Sequence, residues 1–190
     1  MKIKSLLAAL SIVGLSSVAT AAPSLTYNVN RLIGIGSVVG TVTTDGTFGT
    51  LATANVTAWS LTLSDGIGSF AITEANSGFI AVGSGLTADV DSMDFDFSGA
   101  SVAFDFQNPS VGSGVNFWCG NGASGTACSG SFSVEEVKLS APGSPVASRT
   151  GIVEIATRST AVPGNSVPEP TSLALAGLAL LGAAAARRRA

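Results

Sequence analysis

Between residues 22 and about 158 the apolar residues recur at a spacing of two, in short runs closed by Gly, Asn and Asp, and hardly anywhere at the spacing of a helix. A strand that buries one face has that period of two, so the pattern restricts this segment to antiparallel β structure. In residues 55–64, Trp59, Leu61 and Leu63 share one face, with Ser60 and Thr62 on the other. In residues 92–98, Met93, Phe95 and Phe97 oppose Asp94 and Asp96, and Phe104 and Phe106 flank Asp105 in the same manner. Residues 38–44 read as a strand running into Thr44-Asp45-Gly46-Thr47, a turn centred on Asp-Gly, and Asp65-Gly66 marks a second such turn. Residues 151–157 read as the last strand. Phe132 and Val134 alternate, and Glu135-Glu136 then breaks the phase before Val137 and Leu139, which predicts a β-bulge. The expected fold is all-β, an antiparallel two-sheet sandwich of jelly-roll type with about eight to ten strands.

Both ends of the chain depart from this pattern. Met1-Lys2-Ile3-Lys4 is positive, residues 6–18 are apolar, and Ala19-Thr20-Ala21 supplies small residues where signal peptidase reads them. Residues 1–21 are therefore expected to be a secretory signal helix, cut between Ala21 and Ala22. A cut after Ala22 would leave Pro23 at the new N-terminus. At the other end, Val167-Pro168-Glu169-Pro170 precedes an uncharged apolar stretch, 171–186, and then Arg187, Arg188 and Arg189. A helix over that stretch would rise about 24 Å against a hydrocarbon core of roughly 30 Å. It would be a thin transmembrane span, with the arginines reaching the cytoplasmic interface. Pro168 and Pro170 keep the chain before it extended. Residues 159–166, STAVPGNS, read as a linker between the β domain, 22–158, and this tail, 167–190.

The order of Pro168-Glu169-Pro170, apolar helix and terminal arginines resembles the PEP-CTERM sorting signal of Gram-negative bacteria. The resemblance implies cleavage near the Pro-Glu-Pro motif by an exosortase-type membrane protease. It further implies transient anchoring in the inner membrane and delivery to the cell surface, the outer envelope or the medium of bacteria that make exopolysaccharide. More loosely, residues 40–66 resemble a domain recurrent in PEP-CTERM proteins. That likeness lies in the Thr44-Asp45-Gly46-Thr47 turn, the Gly49-Thr50-Leu51 step, the Trp59-to-Leu63 run and, further on, Phe117-Trp118-Cys119. It implies no activity.

Charge narrows the function. Charged residues make up 11% of the chain and the mean hydropathy is +0.49. Five of the nine Lys/Arg lie in the ends (Lys2, Lys4, Arg187, Arg188, Arg189), and one of the twelve acids, Glu169, does too, so residues 22–166 carry 4 − 11 = −7. Such a domain repels phosphate backbones, and no nucleic-acid partner is expected. With no histidine, His-based triads and His-ligated metals are excluded. Lys138 alone would remain for a Ser-Lys pair, and it sits in an alternating run. A glycan hydrolase would need paired carboxylates, one with a raised pKa in a cleft.

Cys119 and Cys128 are the only cysteines, and after export they are expected to form a disulfide. Two sulfurs without histidine are too few ligands for a metal. Asp89, Asp91, Asp94, Asp96 and Asp105 form an acid-rich stretch that begins like a calcium loop. Met93 and Asp94, however, stand where an EF-hand needs Asp or Asn and then Gly. A solvated strand face is expected there, with a low-affinity Ca²⁺ site as the alternative. The expected role is a non-catalytic envelope or matrix protein with no cofactor and no metal. The alternative is a carbohydrate-binding module for exopolysaccharide, with Trp118, Trp59 and Tyr27 as aromatic candidates, and a glycan hydrolase comes third.

Overall fold

Apart from the run that begins at Phe132, each alternating run forms a strand, and the strands build two antiparallel sheets. The computed structural model describes residues 23–140 and 144–159. The anticipated signal helix and tail helix lie outside those residues, and among the described residues no helix is long and apolar enough to cross a membrane.

The chain opens with a long hairpin, β1 (Leu25–Ile33) and β2 (Gly36–Thr44). After the Asp45 turn comes β3 (Gly49–Thr50), then a 3-10 turn (Thr53–Asn55). A second hairpin follows, β4 (Val56–Ser64) and β5 (Ser69–Thr73). The chain crosses to the other sheet for β6 (Gly78–Val82) and returns for β7 (Leu86–Ala88) and β8 (Ser92–Asp96). It crosses again for β9 (Ala103–Asn108), β10 (Asn116–Asn121), β11 (Val134–Lys138) and β12 (Val146–Ser148). It ends in the first sheet with β13 (Ile152–Arg158). The eight-stranded sheet has the order β3-β7-β8-β13-β1-β2-β4-β5, and the five-stranded sheet β12-β11-β10-β9-β6. Three of these thirteen strands have two or three residues, too few to leave an alternating signature, and without them the number falls within the range expected from sequence.

The core lies between the sheets. Tyr27, Val29, Leu61, Leu63, Phe95 and Phe97 from one side meet Phe104, Phe106, Trp118 and Val137 from the other. Trp118 stacks on Phe106 at 5.4 Å and meets the Phe104 ring edge-on at 4.9 Å. The Phe104 ring lies so close over Gly120 that a Cβ there would come within 2.3 Å of it, so only glycine fits under the ring.

The middle strands of the five-stranded sheet, β9 to β11, are buried on the outer face as well. Residues 122–133 fold back over it, and Phe117, Cys119, Cys128 and Val134 make a second small core there. This arrangement removes the bulge expected at Glu135-Glu136. β11 pairs with β10 in unbroken register from Phe117–Lys138 to Asn121–Val134. Glu135 points inward with Val137, Glu136 points outward, and both are buried. The apparent break in phase is two buried carboxylates on opposite faces. Phe132 lies before the strand and is exposed. Register shifts occur elsewhere, in β13 at Glu154/Ala156 and in β2 at Thr43/Thr44.

The outer edge of β6 is capped at Ala81 by one side chain. The Thr53 hydroxyl donates to the Ala81 carbonyl (3.3 Å) and accepts from the Ala81 N–H (3.0 Å).

Candidate functional site

The paired strands put Ile80, Asp105, Cys119, Glu136 and Val146 in one row across the outer face of the five-stranded sheet. Cys119 and Cys128 form the expected disulfide, with Cα atoms 5.5 Å apart, and it staples the covering loop to β10. Glu136 is satisfied beneath that loop, accepting from the Ser129 N–H (2.9 Å) and the Ser129 hydroxyl (2.8 Å). The two sulfurs and Glu136 lie within 4.8 Å of one another, but sulfurs joined to each other are not the thiolates a metal needs.

Asp105 is different. It is 4% exposed, and its Oδ1 is buried with no hydrogen-bond partner. Burial, with the Glu136 charge adding to it, pushes its pKa up to about 7. Its carboxyl lines a cavity of about 250 Å³. The walls are Ile80 and Val82 of β6, Ala103 of β9, Val111, Gly112, Thr126, and Ala127 next to the disulfide. Gln107 fixes the far wall by donating to the Gly114 carbonyl (2.8 Å) and accepting from the Gly112 N–H.

A second charged cluster ties the two sheets together. Glu135 is fully buried and accepts from Arg31 Nε (2.9 Å) and Nη2 (2.7 Å), from Arg149 Nε (3.0 Å) and from Trp118 Nε1 (3.1 Å). The arginines spend their remaining donors on backbone: Arg31 on the Glu154 carbonyl, Arg149 on the Leu32 carbonyl. Both oxygens of Glu135 are engaged, and each arginine is also tied to backbone.

The acid-rich stretch does not converge. Asp89 shapes the turn before β8, its Oδ1 accepting from the N–H groups of Asp91 and Ser92 (both 2.7 Å). Those bonds, Ser92 first, hold its pKa below the usual carboxylate range. Asp94 accepts from the Ser92 hydroxyl and Asp96 from the Ser98 N–H. Asp105 belongs to the other sheet, and it is buried where a solvated face was expected. Neither the calcium reading nor a paired-carboxylate cleft gains geometry, because Asp105 is the one carboxyl that lines the cavity. The aromatic candidates for sugar contact are also interior. Trp118 and Tyr27 are buried, and Trp59 is partly buried against Phe79 and Phe106 with its Nε1 donating to Ser77.

The residues assigned to processing lie outside the described residues: Ala19, Ala21 and Ala22 at the front, and Val167, Pro168, Glu169, Pro170, Arg187, Arg188 and Arg189 at the rear. Residues 166–189 match the family model of the PEP-CTERM protein-sorting motif. No curated protein matches the chain, and no solved structure does.

Proposed function

We propose that this chain, which carries a PEP-CTERM sorting motif, is an exported component of the cell envelope or extracellular matrix whose β domain is non-catalytic. The match over residues 166–189 carries the proposal. Its parts have separate tasks. The signal-like residues 1–21 would deliver the chain to the membrane and be cut after Ala21. The apolar stretch 171–186 would then hold the tail in the inner membrane, with Arg187, Arg188 and Arg189 on the cytoplasmic side. An exosortase-type protease would cut near Pro168-Glu169-Pro170 and release the domain to the surface or the medium.

The last strand of the β domain, β13, ends at Arg158 and the matched segment begins at residue 166, so the sorting motif follows the domain in sequence.

The test is the intact mass of the protein recovered from its host's envelope and medium. The expected product runs from Ala22 to near Pro168, two protons lighter than the reduced chain. A steady-state product that retains the tail through Arg189 would overturn the sorting proposal.

A further inference from the structure

We infer that the cavity on the outer face of the five-stranded sheet is a binding site for a small organic ammonium ion, its N–H groups seated on Asp105 and its apolar body against Ile80, Val82, Ala103 and Ala127. This goes beyond sorting and concerns what the domain holds once delivered.

Asp105 has an unmet need. A buried carboxyl oxygen ordinarily has a donor, and Asp105 Oδ1 has none. No side chain of the surrounding elements supplies one. β6 and β10 present no charged residue to this face, and the loops over 109–115 and 122–133 contain none. β11 presents Glu136 and Lys138. Glu136 makes the site more negative, yet its own oxygens are already taken by Ser129. Lys138 Nζ is directed over the Phe117 ring, 6.0 Å from its centre. The site is therefore negative, largely apolar-walled and without a cation of its own, and a ligand cation would supply the missing charge and a donor to the carboxyl through its other oxygen, Oδ2, which also has no hydrogen-bond partner among the described residues.

The size fits. An apolar cavity of about 150 Å³ admits a six-carbon ring, and this one holds about 250 Å³. The walls carry no aromatic platform for a sugar. Apart from Asp105, Gln107, Gly112 and Thr126 they are aliphatic, which suits a short alkyl chain with one polar end.

The probe is n-pentylammonium, with n-pentanol as its neutral counterpart, titrated into the purified full chain by calorimetry. The Asp105 carboxyl is followed by ¹³C NMR. At pH 8 the ammonium should bind and n-pentanol should bind more weakly. With a carboxyl that ionises near pH 7, ammonium binding should weaken about tenfold by pH 6, whereas n-pentanol binding should not change. Bound ammonium should lower the Asp105 pKa. Asp105→Asn should remove the preference for the ammonium while near-UV circular dichroism stays native. Ala103→Leu, which fills the cavity and leaves Asp105 in place, should abolish binding of both probes. The inference is overturned if the ammonium fails to bind at pH 8, if both probes bind alike, or if Ala103→Leu has no effect. None of these results bears on the mass of the processed chain.

Discussion

Asp105 and Glu136 stand in one row on either side of Cys119, both buried, and only Glu136 has been given hydrogen-bond donors. Two neighbouring acids thus meet opposite fates. Glu136 is held by Ser129, and Asp105 is left to keep its proton up to about pH 7.

The first prediction follows from that asymmetry. The folded-state pKa of Asp105 is raised above an unfolded value of about 3.9, so the folded protein binds the extra proton between those limits. Stability from this group should fall as pH rises from about 4 to about 7, by on the order of 3 kcal/mol, and level off above. Asp105→Asn should remove most of that slope. Urea midpoints measured from pH 4 to pH 8 check it, and a flat profile in the parent would contradict it.

Turn aspartates work in the opposite sense. Asp45, Asp65 and Asp89 each accept local hydrogen bonds: from Asn55 and Thr47, from Gly68 and Ile67, and from Ser92 and Asp91. Their pKa values are lowered, so their contribution is present above about pH 3.9 and is lost as pH falls through the lower folded values. Together with Asp105, this predicts maximum stability on the acid side of neutrality, near pH 4–5. Asp65→Ala should shallow the acid limb of the same urea series and leave the limb above pH 5 in place.

The Glu135 network should break asymmetrically. Glu135→Ala leaves two guanidinium groups facing each other across the sheets and should cost about 3–5 kcal/mol. With Arg31→Ala and Arg149→Ala as single changes, double-mutant cycles should show strong coupling of each to Glu135 and weak additivity. Trp118 fluorescence reports the same event, since its indole N–H loses its acceptor.

Replacing both cysteines, Cys119→Ser with Cys128→Ser, should lower stability by about 2–3 kcal/mol from loop entropy over so short a span. It should also weaken n-pentylammonium binding, because Ala127 is a wall of the cavity and is positioned by the staple.

Much of the sandwich was legible because one of its sheets keeps a solvated face. The alternation of Trp59, Leu61 and Leu63, and of Met93, Phe95 and Phe97, marks strands whose inner residues are apolar and whose outer residues are Ser, Thr or Asp. The second sheet follows a different rule. Its middle strands, β9 to β11, are buried on both faces, so Asp105, Glu135 and Glu136 could not be placed from period alone. The signal that could have revealed this is the continuous apolar run in Val102-Ala103-Phe104 and in Phe117-Trp118-Cys119, which fits a strand covered on two sides. The cavity itself depends on where residues 109–114 and 122–133 fold back, and long-range register decides that. The cysteine pair was legible from composition and compartment alone.

The capping of β6 at Ala81 by Thr53 bears on how one copy of the domain meets another. A strand edge with free N–H and C=O groups is a template on which the next molecule can lay its own backbone. Here the Thr53 hydroxyl occupies both outward groups of Ala81. At that residue the edge offers a second molecule no free backbone group to pair with.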